Sequence, residues 1–233
     1  MPTIELVQAF TDEGWFPVRA QQTKVRDQSR REFTRHMVRF RRIHEPIRVG
    51  DSIAELVLTN SHDRSAAYRL DIGLFRLVCS NGMVTCIGDA GGIRVRHGKH
   101  VAGDVIEGSY ELIEEVPRIA AAVDRFRATE MDPAERQLFA EASLEARYGP
   151  EWGHEAPVGP VQLLNARRSD DTGQDLWATF NRVQENLMKG GLPGRSKTGR
   201  RVRTRAIRSV SEDVRLNRAL WRLAERFAEL KAA

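Results

Sequence analysis

The chain has 233 residues, 41% of them hydrophobic and 30% charged, with a formal net charge of +5. That length buries a real core as one large or two small domains, and no apolar run approaches the ~20 residues of a membrane span. The N-terminus MPTIELVQAF has no basic region ahead of an apolar stretch, and Cys79 and Cys86 are too few for a disulfide scaffold, so a cytoplasmic protein is expected.

In chain order, Ile4 to Phe10 predicts a short helix ended by Gly14. Trp15 to Val25 predicts a strand whose Pro17 argues for an edge position. Asp27-Gln28-Ser29 reads as a turn and Phe33 to Ile43 as the returning strand. In that strand Val38 and Phe40 face a core, while Arg35, Met37, Arg39 and Arg41 share the opposite side as a cationic ladder. Ile53 to Asn60 and Ala66 to Val78 are the next strands, with Gly73 marking a bulge or a crowded point. Asn81-Gly82 signals a hairpin turn, followed by short strands at Val84 to Ile87 and Ile93 to Arg96.

Helices take over from there. Asp104 is the expected cap of a long helix with a stripe of Ile106, Tyr110 and Ile113. Ile119, Val123 and Phe126 continue it beyond a kink at Pro117. Asp132-Pro133 restarts a helix through Tyr148, and Gly149 to Pro160 is a connector. Asp175 to Met188 is helical, with Leu176, Phe180, Val183 and Leu187 in register. Ser211 opens the last helix, with a stripe of Leu216, Leu220, Leu223 and Phe227. Strands before helices predict an α+β fold: a twisted antiparallel sheet packed on a long kinked helix, then a helical C-terminal part. The expected division is a core domain at 1–130 and a helical region at 131–233.

Charge is polarised along this order. Arg19 to Arg48 carries +7 and Lys189 to the C-terminus +9, around an acidic middle of −8. Lys189 to Arg208 alone holds eight cations and no carboxylate. Its glycines predict an open, mobile backbone. An arginine-dominated segment without counter-charge repels itself until an anion accepts it, and nucleic-acid phosphate is the strongest such acceptor. A solvated charge run is the plain alternative.

Enzyme signatures are missing. Gly191 to Thr198 imitates a phosphate-binding loop, but Ser196 stands where the second glycine belongs and a helix precedes it. Cys79, Cys86, His97 and His100 have poor zinc spacing. No nucleophile box or paired-carboxylate motif appears, and the sequence implies no cofactor, metal or catalytic residue.

The strings GLFRLVCSNGM, IRVRH and DVIEGSYELIEE, with NRVQENLMKGGL, GRRVRTRAI and DVRLNRALWRLAE later, resemble the phage/plasmid-like family of bacterial prophages and conjugative plasmids. The resemblance covers most of the chain after about Ala66 and implies handling of a mobile element's DNA. Element order and charge placement are also similar to those of Rad-fifty-two-like single-strand annealing proteins, which implies a homo-oligomeric ring or filament. The expected function is ATP-independent binding of single-stranded DNA with strand annealing. Its site would join Lys24, Arg35, Arg39 and Arg41 to Arg195, Lys197, Arg200, Arg201, Arg203, Arg205 and Arg208 on one face. Trp15, Phe16 and Tyr68 are stacking candidates, although core is their commoner fate. Host-protein interaction or inhibition is the alternative, and a metal-dependent nuclease the remoter one.

Overall fold

The computed structural model describes residues 3–22, 34–61, 67–76, 82–84, 92–95 and 101–232. The chain divides into two compact units, Met1–Ala120 with Arg208–Val214, and Ala121–Ile207 with Arg215–Ala233. The fold is α+β, with the strands of the first unit preceding a kinked helix and a helical C-terminal part.

The first unit opens with α1 (Thr3–Asp12) and a reversal at Gly14, where φ is 82°. The strands β1 (Trp15–Gln22), β2 (Arg35–Arg42), β3 (Arg48–Val49), β4 (Ser52–Ser61), β5 (Tyr68–Arg76), β6 (Gly82–Val84) and β7 (Ile93–Val95) follow. They pair antiparallel in the order β1-β2-β4-β5-β6, with β3 also on β4 and β7 also on β5. Pro17 lies on the edge strand, where a missing N–H breaks no ladder, beside a register shift between Pro17 and Arg19. Gly73 sits opposite Glu55 in an unbroken register, so of the two readings of this glycine, a bulge or a crowded point, the β4–β5 ladder shows no bulge.

Alternation sends Trp15, Val38, Phe40, Leu56, Leu58, Tyr68 and Leu70 to one face. Leu6 and Phe10 of α1 and Val105 and Leu112 of α2 (Val101–Glu114) close over it. The Phe10 and Phe40 rings lie 4.7 Å apart. The fully buried side of α2 is Val105, Ser109 and Leu112; of the expected stripe, Ile106 and Ile113 are half-buried and pack against the same core, while Tyr110 is exposed. Both triplets have helical spacing, and contact with the sheet decides which is buried more deeply; Tyr110 stays 46% exposed and donates to Glu13. Asp104 lies in the first turn instead of capping it, because α2 already begins at Val101. Pro117 falls in the first turn of α3 (Val116–Ala128), where its lost N–H matters least, and the kink falls at Glu115.

The second sheet face is not open along its length. Met37, Val57 and Phe75 are buried against Val210 and Val214, which the chain brings back from its C-terminal part. The solvent-facing ladder expected there is interrupted because Met37 is a core residue.

The second unit contains α4 (Pro133–Tyr148), α5 (Trp152–Glu155), α6 (Pro160–Leu164), α7 (Leu176–Lys189), β8 (Pro193–Arg195) and β9 (Arg201–Arg203), and it takes most of α8 (Val210–Ala232). Asp132 and Glu135 cap α4 reciprocally at 2.8 Å, the pattern that Asp-Pro at a helix start encodes. In α7 every residue from Leu176 to Met188 is buried. Its Phe180 meets Phe139, Trp177 and Trp221 with ring centroids 5.9 to 6.5 Å apart. The buried stripe of α8 runs Leu216, Leu220, Trp221, Ala224, Ala228; the expected Leu216 and Leu220 are in it, while Leu223 and Phe227 are half-buried, Phe227 edge-on to Phe139 at 6.2 Å. Trp221 supplies the larger apolar surface and claims the interior.

Polar residues of α7 are buried because each has a partner. Asn186 donates to the carbonyls of Leu163 and Asn165 at 2.8 Å and accepts from Arg167 Nε at 2.6 Å. Arg182 donates to the carbonyls of Asp171 and Gly173, both at 2.7 Å. Burial alone would raise the Glu185 carboxyl, but hydrogen bonds from Arg168 and Lys189 outweigh it and hold the group below its ordinary value.

At the end of α7, Gly190 has φ +61°, and a Cβ there would lie 2.5 Å from the Arg205 carbonyl carbon. Gly190→Ala is expected to destabilise the second unit by about 3 kcal/mol. Urea unfolding followed through Trp177 and Trp221 fluorescence measures it. Gly190→Asn, although tolerant of positive φ, should do no better, because the obstacle is backbone.

Candidate nucleic-acid interface

The glycine-rich basic segment is a β-hairpin, which corrects the expectation of an open loop. Gly191 N donates to Thr204 O at 2.8 Å, Thr204 N to Leu192 O at 2.9 Å, and Ile207 N to Met188 O at 2.9 Å. Above this base β8 pairs with β9, setting Pro193 opposite Arg203, Gly194 opposite Val202 and Arg195 opposite Arg201. Opposed residues share a face. Arg195, Arg201 and Arg203 therefore stand together on one side, with Gly194 and Val202 on the other. The tip closes through Ser196 N to Arg200 O at 2.9 Å and a positive φ at Gly199.

Arg195, Lys197, Arg200, Arg201, Arg203 and Arg205 are all exposed. Arg195 donates to Gly199 O at 3.1 Å and Arg203 to Gly191 O at 2.8 Å. Those acceptors are neutral, so the positive charge persists. Among the described residues, Lys197 is the member of this set paired with a carboxylate, that of Glu155.

The first basic segment is used differently. Glu55, fully buried, accepts from Arg39 at 2.7 Å and from Arg41 at 2.5 and 2.8 Å. The Arg39 guanidinium also lies 3.4 Å from the Phe75 ring centroid. Burial pulls its pKa below the ordinary value, against the hydrogen bond that it donates to Glu55. Two of the four expected hairpin cations are thus committed to a carboxylate, and Arg39 lies 7% exposed in the interior. Arg35 is exposed and donates to Ser211 Oγ at 2.7 Å, while Gln21 donates to the carbonyl of exposed Arg208 at 3.4 Å. Within this unit, the segment 208–211 is therefore tied to both β1 and β2. Exposed Arg19, opposite Arg39, joins this side because the register shift after Pro17 re-aims it. Counting by two from Trp15 would put Arg19 on the core face, and the sequence carries no mark of the shift other than Pro17. Lys24 lies outside the described residues.

The aromatic expectations resolve toward the interior. Trp15 and Tyr68 are buried, and Phe16 meets His44 edge-on at 5.7 Å. Trp152, in the Gly/Pro-rich connector, is only half-buried. A lone tryptophan among glycines and prolines was the available signal.

Asp71 is a feature the sequence did not announce. It is fully buried beside Arg69 at 3.3 Å, and Gly92, at φ +64°, approaches so closely that a Cβ would lie 1.9 Å from Asp71 Oδ1. Burial pushes its carboxyl up to about 6 from an ordinary 3.8, with Arg69 pulling back. The folded state then holds the proton more tightly than the unfolded one between those values. This contribution to stability is complete below about 3.8 and lost as pH rises through about 6. Asp71→Asn should remove that slope, making the variant's stability relative to the parent rise by up to about 3 kcal/mol from pH 4 to pH 7. Thermal unfolding of both proteins across that range measures it.

Among the described residues, no group of three or more His, Cys, Asp or Glu side chains is placed to hold a metal ion, and no helix is long and apolar enough to cross a membrane. Cys79, Cys86, His97 and His100 lie outside the described residues. No solved structure matches the chain. Two proteins of Escherichia coli (strain K12), the UPF0380 proteins YafZ and YfjQ, are each 44% identical to it over 225 residues, covering 97% of this chain and 80% of theirs. Residues 1–221 match the family described as Domain of unknown function (DUF932). With a family match over nearly its whole length and two such relatives, the chain belongs to the DUF932 family.

Proposed function

We propose that this protein binds single-stranded DNA with little sequence preference and promotes annealing of complementary strands without ATP, in the cytoplasmic service of a mobile genetic element. The observation that carries the reading is the β8–β9 hairpin. Three arginines share one of its faces, three more exposed cations lie in the same segment, and Arg195 and Arg203 donate to neutral carbonyls rather than to carboxylates. Alternate residues on a strand are about 6.8 Å apart. Arg201 and Arg203 are such a pair, and that spacing suits successive phosphates of an extended strand.

Binding through phosphates is electrostatic and indifferent to base identity, and it leaves bases free to find a complement. Exposed Arg19, Arg35 and Arg208 in the first unit supply a second anion-attracting surface. The likeness in element order to Rad-fifty-two-like annealing proteins supports the same reading and suggests a ring or filament of identical subunits.

Fluorescence anisotropy with a labelled single-stranded oligonucleotide tests it. If about five phosphates are neutralised, the logarithm of affinity should fall against that of salt with a slope of about −3.5. Replacing Arg200, Arg201 and Arg203 by Glu should lower affinity at least about tenfold and flatten the slope. Complementary strands carrying a dye and a quencher should anneal faster with the protein, in the absence of nucleotide. Affinity unchanged between about 50 and about 200 mM salt would sink the proposal. So would a stoichiometric host protein captured by a chain that ignores DNA.

A further inference from the structure

The hairpin does not stand clear of its unit. Arg195 N donates to Pro157 O at 2.8 Å, and a Cβ on Gly194 would lie 2.0 Å from that same oxygen. At the tip, Lys197 pairs with Glu155 at the end of α5. Beside the Pro157 attachment lies an open cleft of about 880 Å³. Trp152, Pro157 and Val158 line it together with hairpin residues that include Arg195, Arg201 and Arg203. Its residues are aromatic, apolar, neutral polar or cationic, with no carboxylate among them.

We propose that this cleft is a nucleobase subsite, in which one unpaired base of a single strand stacks on Trp152 while its flanking phosphates lie on Arg195, Arg201 and Arg203. The inference rests on the single-strand reading above and deepens it. A flat π-face beside fixed cations fits a base attached to phosphates, whereas an acidic peptide would satisfy the arginines and leave the indole without a matching surface. Selectivity for single strands follows, since a paired base is stacked between its neighbours and cannot enter. One anchored base per subunit leaves the others available, and pairing of the anchored base with a complement withdraws it and loosens the grip.

The test uses the full chain with an oligothymidylate and an abasic oligomer of equal length. Trp152→Ala should weaken the oligothymidylate by on the order of tenfold, with the salt slope and the abasic affinity unchanged. Arg201→Glu with Arg203→Glu should weaken both oligomers and flatten the slope. Trp15, Trp177 and Trp221 are buried, so tryptophan fluorescence quenched by the oligothymidylate reports Trp152 and should vanish in Trp152→Phe. An oligoribouridylate quenching equally would extend the site to RNA. Equal affinity of the two oligomers, or a Trp152→Ala variant that binds oligothymidylate like the parent, overturns the subsite while the electrostatic reading stands. Quenching by polyglutamate with no binding of any oligonucleotide overturns both.

Discussion

Close backbone approach at two glycines makes the basic segment a surface. At Gly190 the chain passes within van der Waals contact of Arg205 and Ala206, and at Gly194 it passes Pro157 just as closely. Neither crossing admits a Cβ. The contacts bring Gly191 and Leu192 into hydrogen-bond range of Thr204, and the two short strands follow from that closure. Glycine here supplies proximity rather than freedom. A chain with the same charges and bulkier residues would repel itself into an extended loop, and its arginines would share no face.

The same residue type meets opposite fates in the two units, and the counter-charge decides which. Glu55 is one fully buried carboxylate facing two arginines in the sheet. An ion pair at that depth is weak evidence for net stability, but losing one partner would strand a buried charge at about 3–5 kcal/mol. Arg39 is therefore held in place, by Glu55 and by the Phe75 ring. In the hairpin, Arg195 and Arg203 donate to carbonyls, which hold the side chain without discharging it. A cation remains available to a ligand when its local hydrogen bonds are to neutral groups.

The distinctive string from Asn181 to Gly191 has a structural explanation. Asn181, Arg182, Gln184, Glu185 and Asn186 are buried on a helix surrounded on all sides, and their partners lie in the irregular stretch from Leu163 to Gly173, on α8 or on α7 itself. Those bonds fasten a stretch with little regular structure to the helix from which the hairpin springs. Replacing them with apolar residues would leave that stretch's carbonyls unsatisfied, at about 1–3 kcal/mol each. The motif holds the platform, and the platform presents the charge.

Local chemistry was legible from the sequence. The helix starts at Asp132 and Asp175, the reversal at Gly14, the edge position of Pro17, the α+β order and the two concentrations of positive charge all depend on residues a few places apart. Tertiary structure decided what depends on a neighbour from elsewhere in the chain. It left Tyr110 exposed where Val105 is buried, and it buried Trp221 more deeply than Phe227, because helical spacing allows several faces and only the opposing surface selects one. It joined Arg39 to Glu55 across sixteen positions, buried Asp71 beside Gly92, and set Trp152 beside arginines some fifty residues away. Composition can count charges, but whether a charge is neutralised depends on what folding places within 3 Å of it.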